Sequence, residues 1–286
     1  TTDIYASRYR LKTALISPEI GGWAAKAHMI ENLPGHVSIL GKELKKLLTE
    51  HLDATDIDYR KSRAESVEKE GDIFRVHTND SVVEAKNVVY ALGTKKRKLG
   101  IEGEDELLGR GVCLCATCDA PFFRDRTVAV IGGNDSGTTA ALLCAEYAKK
   151  VYIIEIMDKL PTEPVWLEKV ESNPKIEILT STSVKKIAGP DKVTGIMLDS
   201  GKEIELQGIF IEVGSYPDTE LIENLGVKKD SFGHIMVSAE QETNVRGVYA
   251  AGDLTCNSNY MRQIVAAQAE GAVAAQAIYK RKMKGE

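Results

Sequence analysis

The sequence reads as an α/β protein, and three stretches predict it. In the middle of the chain, Thr127-Val128-Ala129-Val130-Ile131 is an unbroken apolar run. It is followed by a Gly-rich turn, a helical stretch to Lys149 and a second apolar run from Val151 to Ile154. Strand, tight turn, helix and strand in that order predict a parallel βαβ unit. At the N-terminus a helical stretch leads into a short apolar strand, the second half of such a unit. Near the C-terminus Gly247 to Ala251 reads as a strand, and a long Ala-rich helix follows it.

Composition narrows the class. The 286 residues suffice for two domains with their own cores. Net charge is −5 with acids and bases interspersed, which excludes the charge pattern of a nucleic-acid or anionic-membrane binder. No run of 18 apolar residues occurs, so no transmembrane helix is predicted. The first residues are polar and helix-like, so no signal peptide is expected. Five cysteines, an odd number thinly spread, fit a cytoplasmic protein with one catalytic pair better than a secreted disulfide scaffold.

Taken in order, Thr1 to Arg10 predicts an amphipathic helix and Leu11 to Ser17 a buried strand ended by Pro18. The first strand and Gly-rich turn of that unit are expected upstream of Thr1, and no initiating Met is present. Gly21-Gly22-Trp23 lets backbone approach a flat ligand closely, or is an ordinary turn. Asn32-Leu33-Pro34-Gly35 is a turn signal. Ile39 to Leu52 carries Leu40, Leu44, Leu47 and Leu48 at helical spacing. Strand-like runs follow at Ile73–Val76, Val82-Val83 and Val88–Leu92, the last closed by Gly93-Thr94. Further strands are expected at 176–179, 193–198 and 209–213. Gly109-Arg110-Gly111 and Gly233 are candidate hinges. Arg262-Gln263-Ile264 opens the last helix, whose alanines favour helix and allow close packing on a sheet.

Cys115-Ala-Thr-Cys118-Asp119 carries the chemistry. Two thiols separated by two residues close a small disulfide ring at a helix start, where a neighbouring group can favour one thiolate, the reactive form. Asp119 is a candidate proton carrier for the same thiols. The alternative is half of a zinc site, with Cys113 as a third ligand. No second Cys-x-x-Cys or His-x-x-x-His follows to complete it. Cys113, Cys144 and Cys256 otherwise read as small buried residues.

With Gly21-Gly22, Glu31–Gly35, Ala91-Leu92-Gly93-Thr94, Gly132-Gly133, Gly247–Asp253 and Arg262-Gln263 in the same order, the chain resembles the low-molecular-weight thioredoxin reductase family. The match runs over essentially the whole sequence. The resemblance implies two Rossmann-like, three-layer ββα domains. One binds FAD and is discontinuous, residues 1–109 and 233–286; the other, 110–232, is inserted and carries the Cys pair. It further implies that Gly21, Gly22 and Asn32 line the flavin, Asp253 bonds the ribityl or pyrophosphate region, and Gln263 meets the pyrimidine edge of the ring. Ala91, Gly93, Gly252, Arg262 and Ile264 belong to the same cofactor set. Cys118 is then the thiol facing the flavin, Cys115 the attacking thiol and Asp119 the general acid/base. The implied activity is reduction of thioredoxin or a glutaredoxin-like protein by a homodimer whose inserted domain rotates on its linkers. A catalytically idle partner-binding relative and a reductase for a small-disulfide or peroxide system are the alternatives.

The electron donor departs from the family. A 2′-phosphate needs cations, and a His-Arg-Arg run is usual after the second strand of the inserted domain. Here Glu155-Ile156-Met157-Asp158 stands in that place, an archaeal-like, atypical nicotinamide site. Glu155, 23 positions after Gly132, suits the ribose of NADH better than NADPH. Asn134 takes the middle place of the turn Gly132, Gly133, Asn134, Asp135, Ser136, where glycine admits a pyrophosphate. NADH, NADPH, or a non-nicotinamide carrier such as reduced deazaflavin or ferredoxin are the donors that follow.

Overall fold

A computed structural model describes residues 1–285. They form two compact units, one of residues 1–95 and 216–285, the other of residues 96–215.

The second unit is built on a five-stranded parallel sheet. Its spatial order is Ile176–Leu179, Lys150–Ile154, Thr127–Ile131, Gly208–Ile211 and Val112–Cys113. Strands buried on both faces must be apolar throughout, which is why these runs do not alternate with polar residues. Their side chains still divide by parity. Val128, Val130, Val151, Ile153, Phe210 and Cys113 pack on one face with Ala141 and Cys144 of the helix Asp135–Tyr147. Ala129, Ile131, Ile154, Ile209, Ile211 and Val112 pack on the other with Val184, Ile187, Ile196 and Ile204. Those last four belong to an antiparallel sheet of strands Val184–Ala188, Gly195–Leu198 and Glu203–Glu205. The layers are therefore sheet, sheet and helix.

The first unit repeats the layering with shorter parts. Val88–Tyr90 pairs in parallel with Val248–Ala250, and Ala14–Ile16 with Asp58–Arg60. Tyr90, Val248 and Ala250 face Val67, Phe74 and Val76 of the antiparallel sheet Ala64–Glu70, Ile73–Thr78 and Val82–Ala85. Tyr249, the next residue along, faces Ala274 and Ala277 of the C-terminal helix Ile264–Met283. A helix Gly41–Asp53 buries Leu44 and Leu52.

The α/β class and the two ββα units agree with the sequence expectation. The boundaries differ. The chain changes unit at Lys95–Lys96 and at Ser215–Tyr216, not at 109–110 and 232–233. Side-chain packing is the reason. Leu107 and Val112 belong to the core of the second unit, and Ile222 and Val227 to that of the first. The proposed hinges lie inside the units. At Gly109–Gly111 the turn is closed by Gly109 N–H to Val112 O and Arg110 N–H to Leu107 O, and Gly111 O accepts from Ile209 N. At Gly233, Asp230 Oδ1 accepts from Phe232 N and His234 N. Near the crossings Asp218 N donates to Gly93 O in the first unit and Arg97 N to Gly214 O in the second. The N-terminal helix is Thr2–Arg8 and the following strand only Ala14–Ile16.

Candidate active site

In the second unit the strand Val112–Cys113 ends directly before the Cys pair. Cys115 and Cys118 are joined as a disulfide, with Cα atoms 5.3 Å apart. The intervening residues make one helical turn, Ala116–Asp119, in which Asp119 N donates to Cys115 O at 3.1 Å. Cys118 N also points at Cys115 Sγ, 3.3 Å away. Sulfurs bonded to each other are not available as the thiolates that the zinc alternative requires. Cys118 is exposed, whereas Cys115 and Asp119 are half-buried. Phe122, just after them, is 75% exposed. Cys113, on the strand before the ring, is buried, and its Sγ donates to Gly111 O at 3.8 Å. Burial, with the Asp119 charge adding to it, pushes that thiol up to about 12, so it stays protonated. Cys144 is buried in the same core and its thiol is raised for the same first reason.

The Gly-rich turn of this unit joins the strand Thr127–Ile131 to the helix Asp135–Tyr147. Gly132 has φ +105°, and a side chain there would overlap the Glu212 carbonyl oxygen; only glycine fits. The turn's polar groups are already bonded within the chain. Asn134 caps the helix, its Oδ1 accepting from Gly137 N at 3.0 Å and its Nδ2 donating to Glu212 O at 2.9 Å. Asp135 Oδ1 accepts from Thr162 Oγ1 and Glu163 N, each at 2.8 Å. Glu155 is buried, its two oxygens accepting from Gly133 N at 2.7 Å and Met157 N at 3.0 Å. Ser136 follows Asp135 in the first turn of the helix and is exposed. So Gly132 to Ser136 and Glu155 do form one cluster. The positions of Ile156 and Met157, where cations were expected in the family, carry exposed apolar side chains.

The first unit collects the other predicted residues. Gly21 and Gly22 have φ +94° and +50° at the start of the short helix Gly22–Lys26. Trp23 Nε1 donates to Thr94 O at 2.9 Å, which ties this pair to Gly93 and Ala91 in the turn after Val88–Tyr90. Asn32 Nδ2 donates to Gln263 Oε1 at 3.0 Å. Ile264, the next residue, packs with Ile30, Leu33, Ile39 and Leu44. Gly252 and Asp253 follow the strand Val248–Ala250. Asp253 is half-buried, and no described donor bonds its carboxylate. Burial raises its affinity for a proton, and the nearby Arg262 opposes this. Arg262 Nη2 contacts His234 Nε2 at 2.9 Å.

Two residues here escaped the sequence reading. Glu270, on the C-terminal helix and 5% exposed, accepts from Gly252 N at 2.7 Å, Thr255 Oγ1 at 2.9 Å and Ser258 Oγ at 2.6 Å. It fastens the loop bearing Asp253 to the helix. A lone acid inside an Ala-rich helix was the available signal. His234 is buried, its ring edge-on to Tyr260, whose hydroxyl donates to Asp230 Oδ2 at 2.8 Å. Nothing in its local sequence distinguishes it from a packing histidine.

Among the described residues, no helix is long and apolar enough to cross a membrane. The family model for pyridine nucleotide-disulphide oxidoreductases matches residues 6–271. The F component of alkyl hydroperoxide reductase from Staphylococcus epidermidis is 37% identical over 279 residues, 95% of this chain and 54% of that protein. A protein of Ferdinandcohnia aciditolerans named NADH dehydrogenase is 36% identical over 281 residues, 96% of this chain and 54% of its own. The chain thus spans about half the length of the curated relatives it matches. The crystal structure of T. acidophilum thioredoxin reductase superposes with a TM-score of 0.93 at 36% identity, covering 99% of this chain and 94% of that one. Thioredoxin reductase of Lactococcus lactis (FR conformation) gives 0.94 at 32% identity, with 99% and 95% covered. The chain belongs to the pyridine nucleotide-disulphide oxidoreductase family and has the fold of its thioredoxin reductases.

Proposed function

We propose that the chain is an FAD-dependent disulfide reductase that passes two electrons through Cys115 and Cys118 to a thioredoxin- or glutaredoxin-like protein. The observation that carries this is the closed Cys115–Cys118 ring beside Asp119. The residues of the first unit suit FAD. Asp253 is a half-buried carboxylate with no donor described for it, as a hydroxyl-bearing ribityl chain would use. Gly22 and Gly93 have open space beside their α-carbons. Gln263, joined to Asn32, presents an amide at the start of the C-terminal helix. FAD would be held by Gly21, Gly22, Asn32, Ala91, Gly93, Gly252, Asp253, Arg262, Gln263 and Ile264, and when bound and reduced it supplies an electron pair.

On this chain, arrival of two electrons opens the Cys115–Cys118 bond. Asp119 holds the proton exchanged with the thiols. Cys115 as thiolate attacks the partner's disulfide to give a mixed disulfide, and Cys118 resolves it, restoring the ring and releasing a dithiol partner. Exposed Phe122 offers an apolar contact beside the ring. The Glu155 and Asp135 carboxylates repel the 2′-phosphate of NADPH, so the donor is NADH or a non-nicotinamide carrier, reduced deazaflavin or ferredoxin. We place the enzyme in the cytoplasm as a homodimer.

A second reading, a peroxide-system reductase whose partner is a peroxiredoxin-type protein, is favoured by the similarity to the alkyl hydroperoxide reductase component. Steady-state assays separate the readings. NADH, NADPH and a chemically reduced low-potential carrier are offered as donors, with a thioredoxin or a peroxiredoxin as acceptor. Purified protein is expected to be yellow, and Cys115→Ser or Cys118→Ser to lose at least 99% of turnover, about the two orders of magnitude expected for a lost nucleophile. Colourless protein without thiol-dependent turnover would favour the idle partner-binding alternative, and turnover that survives either substitution would overturn the role of the Cys pair.

A further inference from the structure

Beside the redox ring lies a half-buried ion pair that the reaction above does not use. Lys96, the first residue of the second unit, donates from Nζ to Glu212 Oε1 at 2.6 Å. The same Nζ donates to Leu114 O at 2.7 Å. The Lys96 side chain is 19% exposed and that of Glu212 9%. Charges so placed lose hydration that their attraction only partly returns, and apolar residues of equal size would serve the core as well. A lysine held half-buried with no packing advantage marks a place where charge itself has a use.

Its location suggests that use. Leu114 O belongs to the peptide bond that enters Cys115, so the ammonium stands one peptide unit from the first sulfur of the ring. Glu212 follows the strand Gly208–Ile211, and its own carbonyl is held by Asn134 Nδ2, so the counter-charge is fixed too. We propose that Lys96 is a positioning residue: it clamps the Leu114–Cys115 peptide and supplies the positive charge that favours Cys115 as thiolate, while Glu212 moderates that charge. The proposal rests on the reading of Cys115 and Cys118 as the redox pair. The other titratable groups around the ring are Cys118 and Asp119 on its own turn, Cys113 on the strand before it, and Cys144 on the helix behind. None of these described groups carries a positive charge, and Lys96 brings one to the cluster.

The two partners predict opposite effects. Without Lys96 the thiolate loses its cation. Without the Glu212 charge the cation acts unopposed. The test is the pH dependence of Cys115 alkylation, followed by mass spectrometry on full-length protein reduced with a phosphine. Lys96→Met is expected to raise the midpoint by about half a pH unit or more, and Glu212→Gln to lower it by a similar amount. Lys96→Arg keeps the charge and should keep the wild-type midpoint. Shifts of both variants in one direction, or of neither, overturn the proposal, because loosened packing has no reason to change sign. Should Lys96→Met fail to fold, Glu212→Gln and Lys96→Arg decide it: a lowered midpoint in the first with an unchanged one in the second supports it, and any other result overturns it. Because the reductant is chemical, these outcomes do not depend on donor or acceptor, which the turnover assays test separately.

Discussion

Glu270 shows how a single side chain can organise a loop. It is buried, and its carboxylate satisfies a backbone N–H and two hydroxyls that would otherwise be stranded. Removing one partner of such a set leaves the rest desolvated and unpaired. Glu270→Ala is therefore expected to cost about 3 kcal/mol in urea unfolding, and Glu270→Gln less, since an amide oxygen still accepts. The same Ala variant should release flavin on gel filtration, because Asp253 sits in the loop that Glu270 holds. Retention of flavin at wild-type stoichiometry would show that the loop keeps its shape unaided. At this scale the sequence was legible where chemistry is local. Cys115 and Cys118 announce themselves by spacing, and the structure closes the ring between them. Glu270, His234 and the Lys96–Glu212 pair were not legible, because each acts through a partner distant in the chain.

At the scale of elements, the strand–turn–helix of residues 127–147 depends on two glycines for different reasons. Gly132 needs its left-handed φ, while Gly137 is helical and lies against the turn. A methyl group on Gly137 would overlap the Gly132 carbonyl oxygen, which is backbone and cannot swing away. On Gly133 it would press on the end of the Leu160 side chain, which can adjust. Gly137→Ala should thus lower stability by about 2–3 kcal/mol in urea titrations, and Gly133→Ala by clearly less. Equal losses would mean that the helix and turn are not in close contact. This unit was readable beforehand because doubly buried strands leave an unbroken apolar run. The strand Ala64–Glu70 was not, since Ala-Glu-Ser-Val-Glu-Lys-Glu buries only Val67 and looks like a charged turn. The hinges were misplaced for a related reason. Glycine marks where a chain can bend, but which core Leu107 or Ile222 joins is settled only by tertiary packing.

At the scale of the whole molecule, the two units differ in how the chain supplies them. The second is continuous, residues 96–215, and holds both faces of its five-stranded sheet covered by its own helix and its own antiparallel sheet. The first is made from two segments, and its strand Val88–Tyr90 takes its partner Val248–Ala250 from the far side of the insertion. A unit that buries both sheet faces with its own residues needs nothing from the rest to be stable. The segment 96–215 expressed alone is therefore expected to fold, with a cooperative thermal transition by circular dichroism. Its redox ring should form as well, since Cys115, Cys118 and the buried Cys113 before them all lie within it. Thiol titration after denaturation should find Cys113 and Cys144 free, and Cys115 and Cys118 only after reduction. A non-cooperative melt, with dye binding typical of exposed apolar surface, would mean that the first unit lends the second its stability.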